Sequence, residues 1–426
     1  MSAPNALPGL APLRCPACGG EPPPAAWRCP RCGGPLELAA VPGSPWGPVR
    51  LEPPPGAGER WPWERSIWRW EPLLPAVPAE ARVTLGEGES PLVPLAPLAA
   101  APAAPPAGPE EAGIWLKLDF LQPTGSFKDR GAAFLVSYLR AQGAREVRDD
   151  SSGNAGVALA AYAARAGLRC HVYVPAESSE GKLAQLRLFG AEIHRQRGGR
   201  GAARRAAESG EAPGLYASHN WHPAFLAGLL SLGFELAEEV ASLVEPGGRW
   251  HVVVPAGHGS LVLALGRSWE ALERRAGPAL AEGRLAARPA IWAVQADGDA
   301  PLVRALEAGL DAPSEAILAA PRGPTAAEGI AGARPVRGAE ILRHLRRGGG
   351  AVTVTDGELA HALRRLLARG LLVEPTAAAA LAGVLRLRHQ GRIPEGEPVV
   401  AVLTGSGLKS ASAVERLAGP AGGDAP

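Results

Sequence analysis

The chain has 426 residues and a mass of 43.9 kDa, enough for two or three domains of ordinary size. Lys and Arg number 44 against 42 Asp and Glu, and this near-balance (net charge +2) argues against a protein built mainly to bind nucleic acid or an anionic membrane. No apolar run reaches the ~18 to 20 residues of a membrane span. The first residues lack the charged start and long apolar stretch of a secretory signal. The sequence therefore predicts a soluble, cytoplasmic protein with no nucleic-acid or membrane partner.

Residues 1–40 carry CPACGG and CPRCGG around a Pro-rich bend. Cys15 and Cys18 form one Cys-x-x-Cys pair, Cys29 and Cys32 the other. Four thiolates suit a closed tetrahedral zinc site, and a segment this short needs such a staple. The expectation is a structural zinc ribbon. Residues 41–82 are rich in Pro and Trp (WPWERSIWRWEPLLP) and read as a linker whose indole rings pack on the domain beside it. Residues 97–112 read as a low-complexity surface loop.

From residue 113 strands and helices alternate. IWLKLDF is a strand and GAAFLVSYLRAQG a helix. GVALAAYAARAGL is a helix followed by the strand CHVYVPA, in which Cys170 reads as buried. KLAQLRLFGA, FLAGLLSLGFELAEEV, LVLALGRSWEALERR, LAHALRRLLARG and TAAAALAGVLRLRHQG read as helices. AEIHRQ, WHVVVPA, AIWAVQA and PVVAVLTG read as strands. Such alternation predicts α/β architecture with parallel sheets covered on both faces. The Arg-rich run at 195–205 reads as a solvated helix edge.

Three junctions share one form, a strand end, a Gly/Ser loop and a helix: DDSSGNAG (149–156), VVVPAGHGSL (252–261) and AVLTGSGLKS (401–410). In parallel α/β sheets such loops collect at the carboxyl ends of strands, where ligands bind. Free N–H groups at the helix starts favour phosphate and carboxylate. The glycine spacing matches neither a dinucleotide fingerprint nor a nucleoside-triphosphate loop.

Only four lysines occur, at 117, 128, 182 and 409, so each invites a chemical question. Lys117 and Lys182 read as structural or solvated, and Lys409 as a contributor of positive potential. Lys128 lies in LDFLQPTGSFKDRGA, in the first turn of a helix. The helix dipole and Arg130 are expected to lower its pKa. An activated amine beside anion-binding turns points to a Schiff base with a phosphorylated aldehyde, pyridoxal phosphate.

PTGSFKDRG, SSGNAG and TGSGLK, with LGEGESPLV (85–93) and VEPTAAAALAG (373–383), resemble threonine synthase. That family consists of fold-type-II pyridoxal-phosphate enzymes of the tryptophan-synthase-β superfamily, and many relatives carry an N-terminal zinc ribbon. The resemblance runs from about 83 to 410. It implies two parallel-sheet α/β domains after the ribbon: a large cofactor-binding domain (83–126 and 225–415), a small domain (127–224) and a flexible tail (416–426). It implies Lys128 as the catalytic Schiff-base lysine and Asn154 as partner of the cofactor's phenolic oxygen. Gly257, His258, Gly259 and Ser260 would cradle the cofactor phosphate, and Thr404 would meet the pyridine nitrogen. Ser151 and Ser152 would hold the carboxylate of a small amino-acid substrate. Glu374 and Thr376 fall in a segment near the cofactor.

The implied reaction is O-phospho-L-homoserine and water to L-threonine and phosphate, by a lyase acting as a homodimer. The chain departs from the family pattern where a second phosphate must bind. Ala155 follows the Asn of the SGN loop, and Gly228-Leu229-Leu230-Ser231 contains no Lys or Arg. Candidates for that phosphate are Lys128, Ser152, His219, Asn220 and His222. The alternative is another β-elimination or β-replacement lyase, such as a serine/threonine dehydratase or a cysteate-synthase-like enzyme.

Overall fold

A computed structural model describes residues 7–39, 65–96, 111–178, 180–332 and 334–419, without the side chains of residues 181 and 182. Much of the linker at 41–82, most of the loop at 97–112, the end of the tail and the Lys182 side chain therefore lie outside the described residues. Strands are numbered in chain order: β1 (Leu13–Arg14), β2 (Glu37–Leu38), β3 (Leu92–Pro94), β4 (Ile114–Lys117), β5 (Glu146–Asp149), β6 (Arg169–Pro175), β7 (Glu192–Gln196), β8 (Leu215–Tyr216), β9 (His251–Pro255), β10 (Ala290–Ala296), β11 (Gly350–Val354) and β12 (Val399–Val402).

The chain divides into two compact units, one drawn from 1–89 and 122–232 and the other from 90–121 and 233–426. Exchange points thus fall at 89/90, 121/122 and 232/233, where the sequence reading set them at 82/83, 126/127 and 224/225. The cysteine segment and the described part of the linker belong to the first unit.

The first unit holds a four-stranded sheet in the order β7-β6-β5-β8, all parallel, and the antiparallel pair β1-β2. Helices Lys128–Ala141 and Asn154–Ala166 pack together through nearly continuous buried faces of Ala, Val, Leu and Phe. Trp68 and Trp70, in the short 3-10 helix Ile67–Leu73, are buried as the linker reading expects, and Trp68 stacks on Phe134 with centroids 5.4 Å apart.

The second unit holds a six-stranded sheet in the order β11-β10-β9-β12-β4-β3. Five strands are parallel, and β3 closes one edge antiparallel to β4. Every residue of β9, β10 and β12 is buried, which explains their mostly apolar sequences, broken only by the buried His251 and Gln295: a parallel strand covered on both faces has no polar side to show. The Ala-rich helix Pro375–His389 lies on this sheet, and its small side chains allow close approach. Burial of each Val or Leu here contributes about 1.5–3 kcal/mol. Lys117, fully buried, donates from Nζ to Ser90 O at 2.6 Å and to the Glu239 carboxylate at 2.8 Å, with Glu235 at 3.1 Å. It is structural.

Candidate active site and cysteine cluster

In the first unit, Lys128 opens the helix Lys128–Ala141. The preceding turn is closed by Asp129, whose carboxylate accepts from the Thr124 amide at 2.8 Å and the Thr124 hydroxyl at 2.6 Å. This local closure fixes where the helix starts. Lys128 Nζ lies over the rings of Phe127 (4.5 Å) and Phe225 (5.5 Å). Arg130 is fully buried and donates to Ser231 Oγ at 3.0 Å, so its guanidinium is bound within the unit.

The 149–156 loop leaves β5 and enters helix Asn154–Ala166. Gly153, in extended conformation, occupies the cap position, and Asn154 is the first helical residue. The Ser151 hydroxyl accepts from the Gly153 amide at 3.3 Å. The Ser151 carbonyl folds back on the helix so closely that a Cβ at Gly156 would lie 1.8 Å from it. Only glycine permits that path.

Behind this loop lies an acidic pair that the sequence reading left unremarked. Asp149 is buried. Burial pushes its carboxyl up to about 7, against the weaker pulls of the Asp150 amide and the Lys128 ammonium. Asp150 accepts from the Tyr216 hydroxyl at 2.6 Å, and burial followed by the Asp149 charge raises it to about 6. His219 Nδ1 stands 3.6 Å from Asp149 Oδ2. Burial, and then the Lys128 charge, hold His219 down at about 3, so its imidazole is neutral at physiological pH. His222 is committed elsewhere: its Nδ1 accepts from the Ala224 amide at 3.2 Å and its ring meets Tyr138 edge-on.

In the second unit, Gly257–Ser260 links β9 to the helix Ser260–Arg275. Gly259 caps that helix at φ +75°, and a Cβ there would lie 2.4 Å from Ile341 Cδ1. Gly257 backs onto Ile330, with a Cβ position 3.1 Å from its Cα. The first-turn N–H groups of a 16-residue helix thus sit beside a turn with glycine at 257 and 259, the arrangement that takes up a phosphate. His258 Nδ1 contacts the Arg334 carbonyl at 3.2 Å. Thr376 braces the turn from behind: its Oγ1 accepts from the Gly329 amide at 3.0 Å, next to Ile330. Thr404 is buried at the end of β12, and the following Gly405 carbonyl accepts from the Glu374 amide at 2.9 Å. Glu374 and Thr376 therefore anchor the loops on either side, a role their sequence did not disclose.

The four N-terminal cysteines converge. Cys15 and Cys32 sulfurs are 3.5 Å apart, Cys18 and Cys29 sulfurs 3.6 Å, and all four lie within 4.8 Å of one another. A tetrahedron with ~2.3 Å metal–sulfur bonds has edges of about 3.8 Å, so the set fits zinc. Each pair sits in the same backbone knuckle, with the Gly19 amide on Cys15 O and the Gly33 amide on Cys29 O. The Cys32 amide pulls the Cys29 thiol down to about 6, while against the opposing pull of the Gly34 amide the neighbouring Cys15 and Cys29 push Cys32 up to about 11.

Residues 83–405 match the family of pyridoxal-phosphate dependent enzymes, and the chain belongs to that family. Its parallel-sheet units, as expected from the sequence, are those of the fold-type-II branch. The chain is 30% identical to the threonine synthase of Methanocaldococcus jannaschii, over 83% of each chain. It is 32% identical to the threonine synthase of Methanosarcina acetivorans, over 82% of this chain and 81% of that one. The solved structure of the processed form of threonine deaminase isoform 2 from Solanum lycopersicum shares its fold, with a TM-score of 0.61 at 19% identity over 92% of this chain and 98% of that one. Among the described residues, no helix is long and apolar enough to cross a membrane.

Proposed function

We propose that this enzyme converts O-phospho-L-homoserine and water to L-threonine and phosphate, as a homodimer carrying a structural zinc on Cys15, Cys18, Cys29 and Cys32. The likeness to threonine synthases over four-fifths of the chain carries this reading. The residues present suit pyridoxal phosphate: an amine at a helix start, a glycine turn before a long helix, and a buried hydroxyl at a strand end. Lys128 would hold the aldehyde, Gly257–Ser260 the phosphate, Thr404 the ring nitrogen and Asn154 the phenolic oxygen. The bound cofactor supplies an electron sink for charge developing at the substrate α-carbon.

The chain's own groups do the rest. Ser151 and Ser152 orient the substrate carboxylate, fixing the α C–H bond toward the Lys128 amine. That amine takes the α proton, a Cβ proton is then lost, phosphate leaves from Cγ, Cγ takes up a proton, water adds its hydroxyl at Cβ, and the amine returns the proton to the α-carbon. A neutral hydroxyl at Thr404, placed at the ring nitrogen, would leave it largely unprotonated and so moderate the sink.

One observation favours a second reading, an elimination lyase acting on an unphosphorylated amino acid. The helix segment that would supply cations for a second phosphate is packed inward: Ser231 binds Arg130, and a Cβ at Gly228 would lie 2.1 Å from Arg130 O. Of the proposed phosphate ligands His222 has its Nδ1 committed to the Ala224 amide, and His219, being neutral, can only donate a hydrogen bond. Steady-state assay separates the two. Release of phosphate and threonine from O-phosphohomoserine supports the first reading. Formation of a 2-oxo acid and ammonia from serine or threonine, with no turnover of O-phosphohomoserine, replaces it with the second.

A further inference from the structure

The first unit's sheet carries a second group of metal-ligating side chains, away from the cysteines in sequence and lacking any sulfur. His171 on β6 is paired in register with Glu192 on β7, and His194 follows two residues along β7 on the same face. His171 Nδ1 is 3.2 Å from His194 Nε2 and 3.3 Å from Glu192 Oε2, and His194 Nε2 is 3.6 Å from Glu192 Oε1. Three ligands bound at ~2.1 Å to one ion stand about 3.0 to 3.4 Å apart, the edges of an octahedron or tetrahedron. The observed separations of 3.2 to 3.6 Å come close to that size, with Glu192 turning a different carboxylate oxygen to each ring.

The surroundings suit a cation. The His171 side chain is only 7% exposed. Its other nitrogen, Nε2, has no hydrogen-bond partner and faces Glu146 Oε2 on β5 at 3.7 Å. A carboxylate behind a ligating histidine orients the ring and raises its basicity. Tyr173 stacks on His194, with centroids 4.6 Å apart and planes at 16°, and so fixes that ring too. Glu192 is two-thirds exposed, which leaves an approach from solvent. The nearby cations are already engaged: Arg169 pairs with Glu146, and Arg148 donates to the carbonyls of Ala207 and Ala212.

We propose that His171, Glu192 and His194 form a second divalent-cation site, taking a zinc-class transition metal on two imidazole nitrogens and a carboxylate. Two imidazoles and one carboxylate are the ligand set of a borderline metal, whereas magnesium and calcium prefer all-oxygen sites. With three protein ligands the fourth position is left for water. The ion takes the place of the proton between the two facing nitrogens, which moves to the far nitrogen of its own ring, and ties edge strand β7 to β6.

The test equilibrates full-length protein with zinc chloride and then removes loosely bound metal on a gel-filtration column. Zinc per chain is counted in the wild type, His194→Ala, Glu192→Gln and Cys15→Ser. His194→Ala and Glu192→Gln are each expected to hold one zinc fewer than the wild type. Cys15→Ser is expected to lose only the cysteine-bound ion, so failure of that site shows separately from failure of this one. Glu146→Gln keeps the ligands and is expected to weaken binding about 10- to 100-fold. Glu192 is a surface side chain whose replacement leaves the core intact, and circular dichroism verifies the fold of each variant. Equal zinc content in folded wild type and folded Glu192→Gln overturns the proposal.

Discussion

Glu87, in the LGEGESPLV segment, is fully buried and accepts from the Leu85 amide at 2.9 Å and from the Tyr162 hydroxyl at 2.7 Å. Burial outweighs these bonds and pushes its carboxyl up to about 7. A carboxyl with a raised pKa binds its proton more tightly in the folded state, so folding stability falls as pH rises from about 4.5 to about 7. Glu87→Gln removes that titration. In denaturant unfolding from pH 4.5 to pH 7.5, the wild type should lose on the order of 3 kcal/mol more than the variant. Asp149 titrates in the same window in both proteins, which is why the variant serves as reference. Lys128 offers a chemical prediction at the same scale. Lys128→Ala should remove the visible absorbance of bound cofactor and slow turnover by about 10²–10⁴-fold or more, with the fold unchanged by circular dichroism. Absorbance that survives in the variant places the covalent link on another amine.

Among the elements, helix starts do most of the positioning. The helix Ser260–Arg275 begins at a left-handed glycine pressed against Ile341. Gly259→Ala adds roughly 1–2 kcal/mol of backbone strain and also forces Ile341 to move. Expected outcomes are a lower denaturation midpoint and weaker cofactor retention on dialysis. Thr355 and Glu358 form a complete capping box on the helix Asp356–Leu367, far along the chain from any candidate ligand. Thr355→Ala should cost about 1 kcal/mol of stability while leaving cofactor retention as in the wild type. The contrast separates helix starts that hold a ligand from those that only end a helix.

For the molecule as a whole, the cysteine segment is joined to the first unit by specific bonds. Tyr138 donates to the Ala11 carbonyl at 2.9 Å and Gln142 to the Pro24 carbonyl at 2.7 Å. Trp27 meets Tyr216 edge-on at 5.1 Å, and Tyr216 in turn holds Asp150 beside the SSGN loop. A metal on the cysteines, as proposed above, would therefore be coupled to the loop proposed to bind substrate. Stripping zinc with a chelator should lower the melting temperature of the wild type and raise KM more than it lowers kcat. An unchanged KM in the metal-free protein would show that the segment contributes stability alone.

Much of this architecture was legible in the residues. The continuous apolar strands, the Ala-rich helices, the paired cysteines and the strand–glycine–helix junctions each follow from local chemistry: burial on two faces, close packing, thiolate geometry and free N–H groups at helix starts. What escaped was set by partners distant in the chain. β5 (EVRD) does not look like a strand, because Arg148 and Asp149 are charged; it becomes one where Arg148 finds the carbonyls of Ala207 and Ala212. β3 takes an antiparallel edge that its three residues do not specify. The Asp149–His219 contact and the His171–Glu192–His194 triangle join residues 70, 21 and 23 positions apart in the chain. Sequence by itself determined which chemistry is carried, since residue type fixes what an amine, a thiol or an imidazole can do. Only the tertiary structure decided which of these groups meet, because a distance of 3 Å between side chains depends on strand register and packing, which no local pattern encodes.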